Sequence, residues 1–212
     1  MTRLILIRHG QSQANTLSVF AGHTDSPLTE LGMEQAERTA AYVAENYEIA
    51  AVYSSDLCRA SAVGEKVAEK AGVPLTLDAD LREIHAGLWE GCPFSQLAQR
   101  FDAYQVWLTN IGRAACDEGE AVAQLQNRFL AALRRIAGSH PGKTVAIATH
   151  ATPIRALCCF CEKDSLDGMK DIPWVSNASV TEVICDNGGF SIVQAGFDGH
   201  LGESTSRFSG KV

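Results

Sequence analysis

A chain of 212 residues with 46% hydrophobic and 20% charged residues can bury a full apolar core and does not have the composition of a disordered chain. Its formal net charge of −7 argues against broad binding to nucleic acid or to anionic membranes, both of which draw on basic surfaces. The opening residues MTRLILIRHG hold a four-residue apolar run, far short of a signal-peptide core or a membrane span, so a cytoplasmic location is the expectation.

Arg3 to Ile7 reads as a strand buried on both faces of a parallel sheet, because its apolar run does not alternate. A polar loop follows from His9 to Pro27. Thr29 is placed to cap a helix over 30–46, where Met33, Ala36, Ala40, Val43, Ala44 and Tyr47 recur at three- and four-residue spacing. Ile49 to Tyr53 is a second strand, after which Asp56 is placed to cap a helix running through Ala71 and stopped by Gly72. Pro74 to Leu77 supplies a short third strand, and Asp80 to Gly91 is polar and Gly-punctuated enough to be a loop. Residues 94–110 and 120–137 read as helices, the second with Val122, Leu125, Phe129, Ala132, Leu133 and Ile136 on one side. Thr144 to Ala148 is another buried strand, followed by a helix to about Cys161. Val180 to Cys185 and Phe190 to Ala195 are joined by Asp186-Asn187-Gly188-Gly189, a turn that requires positive φ. The last dozen residues are polar and expected to lie over the surface.

This rhythm predicts an α/β fold, and with no repeat or linker to divide it, residues 1–212 read as a single domain. Seven cysteines, an odd number, read as reduced and mostly buried thiols. Cys158 and Cys159 point in different directions on their helix and are poorly placed to share a metal.

Four polar clusters fall just beyond the ends of predicted strands: Arg8-His9-Gly10, Ser54 to Arg59, Arg82-Glu83 and Thr149-His150. That edge is where open α/β sheets bind ligands. Among them Arg8, Arg59, His9, His150 and Glu83 offer two cations, two imidazoles and one carboxylic acid, a set suited to a phosphoryl group, whose oxygens guanidinium forks match. Taken singly, each has an ordinary structural explanation, such as a strand-end histidine or a surface arginine. Their joint occurrence at one edge favours a site.

Leu6-Ile7-Arg8-His9-Gly10-Gln11-Ser12, with Asn15 three residues on, resembles the signature of the histidine phosphatase superfamily, whose fold is that of the phosphoglycerate mutases. Gly22 with Asp25-Ser26-Pro27-Leu28-Thr29-Glu30-Leu31-Gly32 is similar to its phosphate-loop segment, and Tyr53 to Ala60 to its second-arginine segment. Leu81-Arg82-Glu83-Ile84 with Gly87-Leu88-Trp89-Glu90-Gly91 resembles the acid-bearing loop. Thr149-His150 with Pro153 to Leu157, and then Asn177 to Thr181, complete the order. The resemblance implies a three-layer α/β/α fold with a mostly parallel central sheet, with 94–118 as a helical lid or insertion. It also implies a phosphoric monoester hydrolase of the histidine acid phosphatase type, in which His9 attacks phosphorus through Nε2. Arg8, Arg59 and His150, with Asn15 and the backbone near Gly22 and Ala151, would bind the phosphoryl oxygens. Flanking positive charge would keep His9 neutral, and Glu83 would serve as acid and then base. No metal and no other cofactor is required, because guanidinium and imidazolium supply the positive charge. Ala151 stands where the family usually has Gly, which is tolerable if that position does not need positive φ.

The acid loop, Leu-Arg-Glu followed by Trp-Glu-Gly, favours a phosphatase over a cofactor-dependent phosphoglycerate mutase, and 94–118 offers no convincing counterpart of the mutase's further basic residues. A non-catalytic phospho-ligand binding module is the alternative from another class, although no catalytic residue is missing. The expected partner is a small phosphorylated metabolite, from a pool that includes α-ribazole phosphate, phosphosugars and phosphoserine. Neither nucleic acid nor membrane is expected as a partner, and a homodimer is compatible with the sequence. Trp89, Phe94, Leu97, Phe101, Tyr104 and Trp107 either form an apolar wall for a partly apolar alcohol or pack in the core.

Overall fold

The computed structural model describes residues 1–206. A six-stranded sheet is built from β1 (Thr2–Arg8), β2 (Ile49–Ser54), β3 (Leu75–Leu77), β4 (Thr144–Thr149), β5 (Val180–Asp186) and β6 (Gly189–Phe197), in the order β3-β2-β4-β1-β5-β6. The first four are mutually parallel, and β5 and β6 extend the sheet as an antiparallel hairpin. The hairpin turn takes the positive φ its sequence required, at Asn187 (49°) and Gly188 (78°).

Leu4, Ile5, Leu6 and Ile7 are all fully buried because β1 is covered on both faces. Leu4 and Leu6 join the larger apolar cluster, which includes Trp89, Leu125, Phe129, Leu133 and Ile154. Ile5 and Ile7 join the smaller one, with Ala36, Ala40, Val43, Val63 and Val67. The period-2 alternation of a strand thus divides one apolar run between two helical layers. The smaller layer is α2 (Glu30–Asn46) and α3 (Cys58–Ala71), and the larger is led by α6 (Val122–Ser139) and α7 (Ala151–Glu162).

Local signals place most boundaries. Thr29 caps α2, accepting from the Gly32 amide at 3.1 Å, and α3 ends on Gly72 at φ 67°. In the α2 stripe Ala36, Ala40 and Val43 are buried, whereas Met33 is exposed.

Three readings of the sequence need correction. The polar loop from His9 to Pro27 contains a short helix, α1 (Gln13–Leu17), started by a capping box between Ser12 and Asn15. Residues 94–110 form two helices, α4 (Phe94–Arg100) and α5 (Ala103–Asn110), because Phe101 leaves helical geometry at φ −137°. Asp56 does not cap α3; its carboxylate pairs with Arg82, and the first α3 amide, that of Cys58, donates to Asp25 Oδ1 at 2.9 Å. The cap therefore comes from a segment 33 residues away.

The loop expected over Asp80–Gly91 is entered through one 3-10 turn, Ala79–Leu81, and holds a second, Gly87–Trp89. Of the polar tail, 201–206 is anchored on α2, where Gln35 donates to the Ser204 carbonyl at 2.7 Å and Ser204 donates to Glu34. Leu201 there is fully buried, and the rest of the tail, 207–212, lies outside the described residues. The seven cysteines are free, five of them buried. No helix among the described residues is long and apolar enough to cross a membrane.

Candidate active site

The parallel register of β1 and β4 pairs Arg8 with Thr149, so the two residues that follow, His9 and His150, emerge side by side. Their ring centroids lie 5.2 Å apart at 62°. The backbone continues the pairing for one more step, with the His9 amide donating to the Thr149 carbonyl at 3.0 Å. Arg59 reaches the same place from the first turn of α3 behind β2, and Glu83 from the loop behind β3.

His9 is 5% exposed and its Nδ1 lies 2.7 Å from the Gly10 carbonyl. A carbonyl only accepts, so Nδ1 carries the proton and Nε2 is the nitrogen left with a lone pair. The His9 pKa is held well below the ordinary imidazole value, first by burial and then by the charges of Arg59 and Arg8. Burial is thus the leading cause, ahead of the flanking charge that the sequence suggested. His150 is also held well below the ordinary value, by burial and then by Arg59. It is therefore a neutral imidazole, and the positive charge of the site resides on the two guanidiniums. Its Nε2 meets Ser55 Oγ at 2.8 Å. His150 meets the His9 ring edge to face and is not itself among the residues lining the cleft.

Arg8 is 3% exposed, and burial lowers its pKa to about 10, which leaves it charged at neutral pH. One of its Nη atoms donates to the Val175 carbonyl. Arg59 is buried, donating to the carbonyls of Thr24 (3.0 Å) and Gly22 (2.7 Å); burial also lowers its pKa, opposed by Glu83. Arg8 Nε and His150 Nδ1 are buried with no hydrogen-bond partner among the described protein atoms, so each has hydrogen-bonding capacity that protein atoms do not use.

Asn15 accepts on Oδ1 from Ser12 N, Ser12 Oγ and Asn177 Nδ2. Its own amide donors are therefore available to the cleft that it lines. Gly22 sits at φ 52°, and a Cβ there would meet Ala86 Cβ at 2.6 Å and Glu90 Oε1 at 2.7 Å, so conformation and space both demand glycine. Ala151 has no positive φ and starts α7 on the cleft wall, which answers the concern over the missing glycine.

Glu83 accepts from the Ile84 amide (2.9 Å) and the Thr152 amide (3.3 Å). Its backbone is gripped by residues that sequence reasoning passed over. Arg128 on α6 donates to the carbonyls of Asp80, Arg82 and Glu83 at 2.9, 2.9 and 2.7 Å, and is itself paired with Glu120. His23 Nε2 also meets the Glu83 carbonyl, at 2.8 Å. Glu90 accepts from the amides of His23 and Ala86 and from Thr24 Oγ1, tying the Gly22 loop to the acid loop. The one foreshadowing in the sequence is Arg128's place beside an apolar helical stripe. His85 and His200 pack on His23 and on Tyr42 respectively.

Of the six residues considered for an apolar wall, only Phe94 and Trp107 line the cleft. Trp89, Leu97 and Tyr104 are buried in the core, and Phe101 packs against it. The wall is completed by Val19, Phe20 and Trp174, none of them foreseen. The cleft together with its solvent-open mouth spans about 600 Å³. Among the described residues no group of three or more His, Cys, Asp or Glu side chains could hold a metal ion.

Comparison with known proteins agrees with this geometry. The family described as histidine phosphatase superfamily (branch 1) matches residues 4–198. Phosphoglycerate mutase-like protein 4 of Arabidopsis thaliana is 34% identical over 159 residues, 73% of this chain and 68% of that protein. The metal-independent phosphoserine phosphatase of the same plant is 29% identical over 213 residues, 94% of this chain and 89% of that one. The solved structure of Bacillus stearothermophilus YhfR superposes with a TM-score of 0.89 at 33% identity, covering 95% of this chain and 100% of that one. Fold, cleft and sequence converge: the chain belongs to the histidine phosphatase superfamily, branch 1, and is a phosphoric monoester hydrolase of that type.

Proposed function

We propose that the protein hydrolyses a small phosphorylated metabolite through a phosphohistidine formed on His9. The observation that carries this reading is the state of the His9 ring: buried, neutral, fixed in one tautomer by the Gly10 carbonyl, and set on the cleft wall with two guanidiniums and one carboxyl group. Attack by Nε2 on phosphorus breaks the bond to the substrate oxygen, and Glu83 in its acid form protonates the departing alcohol. Water then attacks the phosphohistidine, Glu83 takes its proton, and inorganic phosphate leaves a neutral His9. Arg8, Arg59, Asn15, His150 and the backbone at Gly22 and Ala151 hold the phosphoryl oxygens as charge spreads in a loose transition state. Arriving phosphate favours protonation of His150, so its buried ring can add a donor when one is needed. The guanidiniums supply the charge, and no step runs through a metal.

Residues 1–212 are read as one domain with 94–118 as a lid, supported by Phe94 and Trp107 facing the cleft while Leu97 and Tyr104 root the segment in the core. The substrate pool remains α-ribazole phosphate, phosphosugars and phosphoserine, the last supported by the relative named for it.

The test is a folded His9→Ala variant assayed with p-nitrophenyl phosphate in chelator. Loss of turnover, with an acid-labile phosphoryl adduct on His9 of the wild type, is expected. Wild-type turnover in the variant, or an adduct on another residue, ends the reading. Formation of 2-phosphoglycerate from 3-phosphoglycerate, dependent on 2,3-bisphosphoglycerate, would identify a mutase instead.

A further inference from the structure

We infer that the alcohol half of the substrate is an apolar, ring-sized group seated against Trp174, so that within the pool named above phosphoserine, whose alcohol bears a carboxylate, is the poorer substrate of this cleft. This rests on the phosphatase reading above. Among the described residues, the charged side chains lining the cleft are Arg8, Arg59 and Glu83, and with the neutral His9 they belong to the phosphoryl end. The rest of the wall is dominated by Val19, Phe20, Phe94, Trp107 and Trp174. A carboxylate or ammonium brought against such a wall loses water and finds no opposite charge on the wall's described residues, whereas an apolar ring gains from being covered.

The wall is held stiff. Phe20 packs ring to ring on Phe94 (5.6 Å) and Trp107 (5.2 Å). Trp174 is backed by the Arg155 guanidinium, 4.3 Å from the ring centroid. Arg155 is buried and anchored through Nε to the Ile172 carbonyl at 2.6 Å and through Nη2 to the Lys170 carbonyl at 3.3 Å. Trp107 and Trp174 also line a neighbouring groove that contains Arg155 and Lys170. The two indoles are therefore a partition: on one side the catalytic cleft, on the other a groove that carries Arg155 and Lys170. A substrate carboxylate would have to pass Trp174 to meet Lys170, so Trp174 is a specificity-determining residue and Arg155 its positioning residue.

The experiment compares kcat/KM for 2-phenylethyl phosphate, ethyl phosphate and O-phospho-L-serine, all esters of primary alcohols, which limits differences in leaving-group chemistry. The phenyl ring is expected to give a preference over ethyl of between about tenfold and a hundredfold, and a comparable preference over phosphoserine. Trp174→Ala should reduce the phenylethyl-to-ethyl ratio to a few-fold and raise phosphoserine relative to ethyl phosphate, because the partition is opened. Trp174→Phe keeps a ring in place and should retain most of the preference, which guards against a misfolded alanine variant. Phosphoserine or ethyl phosphate used as well as phenylethyl phosphate, or a ratio unmoved by Trp174→Ala, overturns the inference while phosphohistidine still forms on His9. Failure to hydrolyse all three esters, with no adduct on His9, overturns the phosphatase reading itself.

Discussion

Replacement of Gly10 by alanine tests whether the tautomer lock on His9 depends on a backbone contact with α2. A Cβ at Gly10 would lie 2.5 Å from the Gly32 carbonyl oxygen and 3.1 Å from its carbonyl carbon, all backbone atoms, where ordinary contact begins at 3.4 Å. One chain must therefore yield by about 0.9 Å along the shorter contact. Neither is free to do so. A Cβ on Gly32 would in turn meet the Gln11 carbonyl at 2.0 Å, and Gln11 is tied to Gln35 Oε1 (2.8 Å) and to the Thr29 amide (2.9 Å). The displacement falls on the Gly10 carbonyl, which holds His9 Nδ1 at 2.7 Å. Misplacement of a reacting group by about 1 Å costs about a hundredfold in rate, and overpacking costs about 1–3 kcal/mol, a fall in Tm of roughly 2–12 °C for a chain of this size. Single-turnover formation of the His9 adduct, with a thermal melt on the same sample, measures both. A Gly10→Ala protein that phosphorylates His9 within twofold of the wild-type rate would refute the claim that this contact sets the ring.

Arg128→Met removes three donors to the acid-loop carbonyls and leaves Glu120 without its cation. A loss of about 2–3 kcal/mol in a urea melt and a drop in kcat of at least tenfold are expected, and an unchanged kcat would show that the clamp does not position Glu83. Stability should also depend on pH through the two buried histidines. His9 and His150 stay neutral in the folded protein well below the ordinary imidazole value, while the unfolded chain binds protons below about pH 6.5. Stability is thus fully present above about 6.5 and is lost as pH falls from there towards the folded values, by up to about 1.4 kcal/mol per pH unit for each group. Urea midpoints at pH 8, 7, 6 and 5 read this slope, and a flat profile from 7 to 5 would contradict the neutral assignment.

The sequence by itself determined the elements whose causes are local. The unbroken apolar run Leu4–Ile7 dictates a strand covered on both faces, Thr29 and Gly72 set helix ends within one turn of themselves, and Asn187-Gly188 sets the hairpin turn. Because the polar residues that follow three parallel strands and the loop after a fourth must share one edge, His9, Arg59, Glu83 and His150 were also legible before any coordinate.

What only the tertiary structure decided are the contacts made by partners far apart in the chain. Arg128 meets the Glu83 carbonyl across 45 residues and Glu90 meets the His23 amide across 67, and no periodicity or capping rule extends so far. The split of the aromatics is of the same kind: Trp89 and Tyr104 turn to the core while Phe94 and Trp107 line the cleft, a division that runs even between Tyr104 and Trp107 of a single helix. The neutral state of His150 also follows from enclosure on all sides, since desolvation is a property of the folded surroundings and not of the residue's neighbours in sequence.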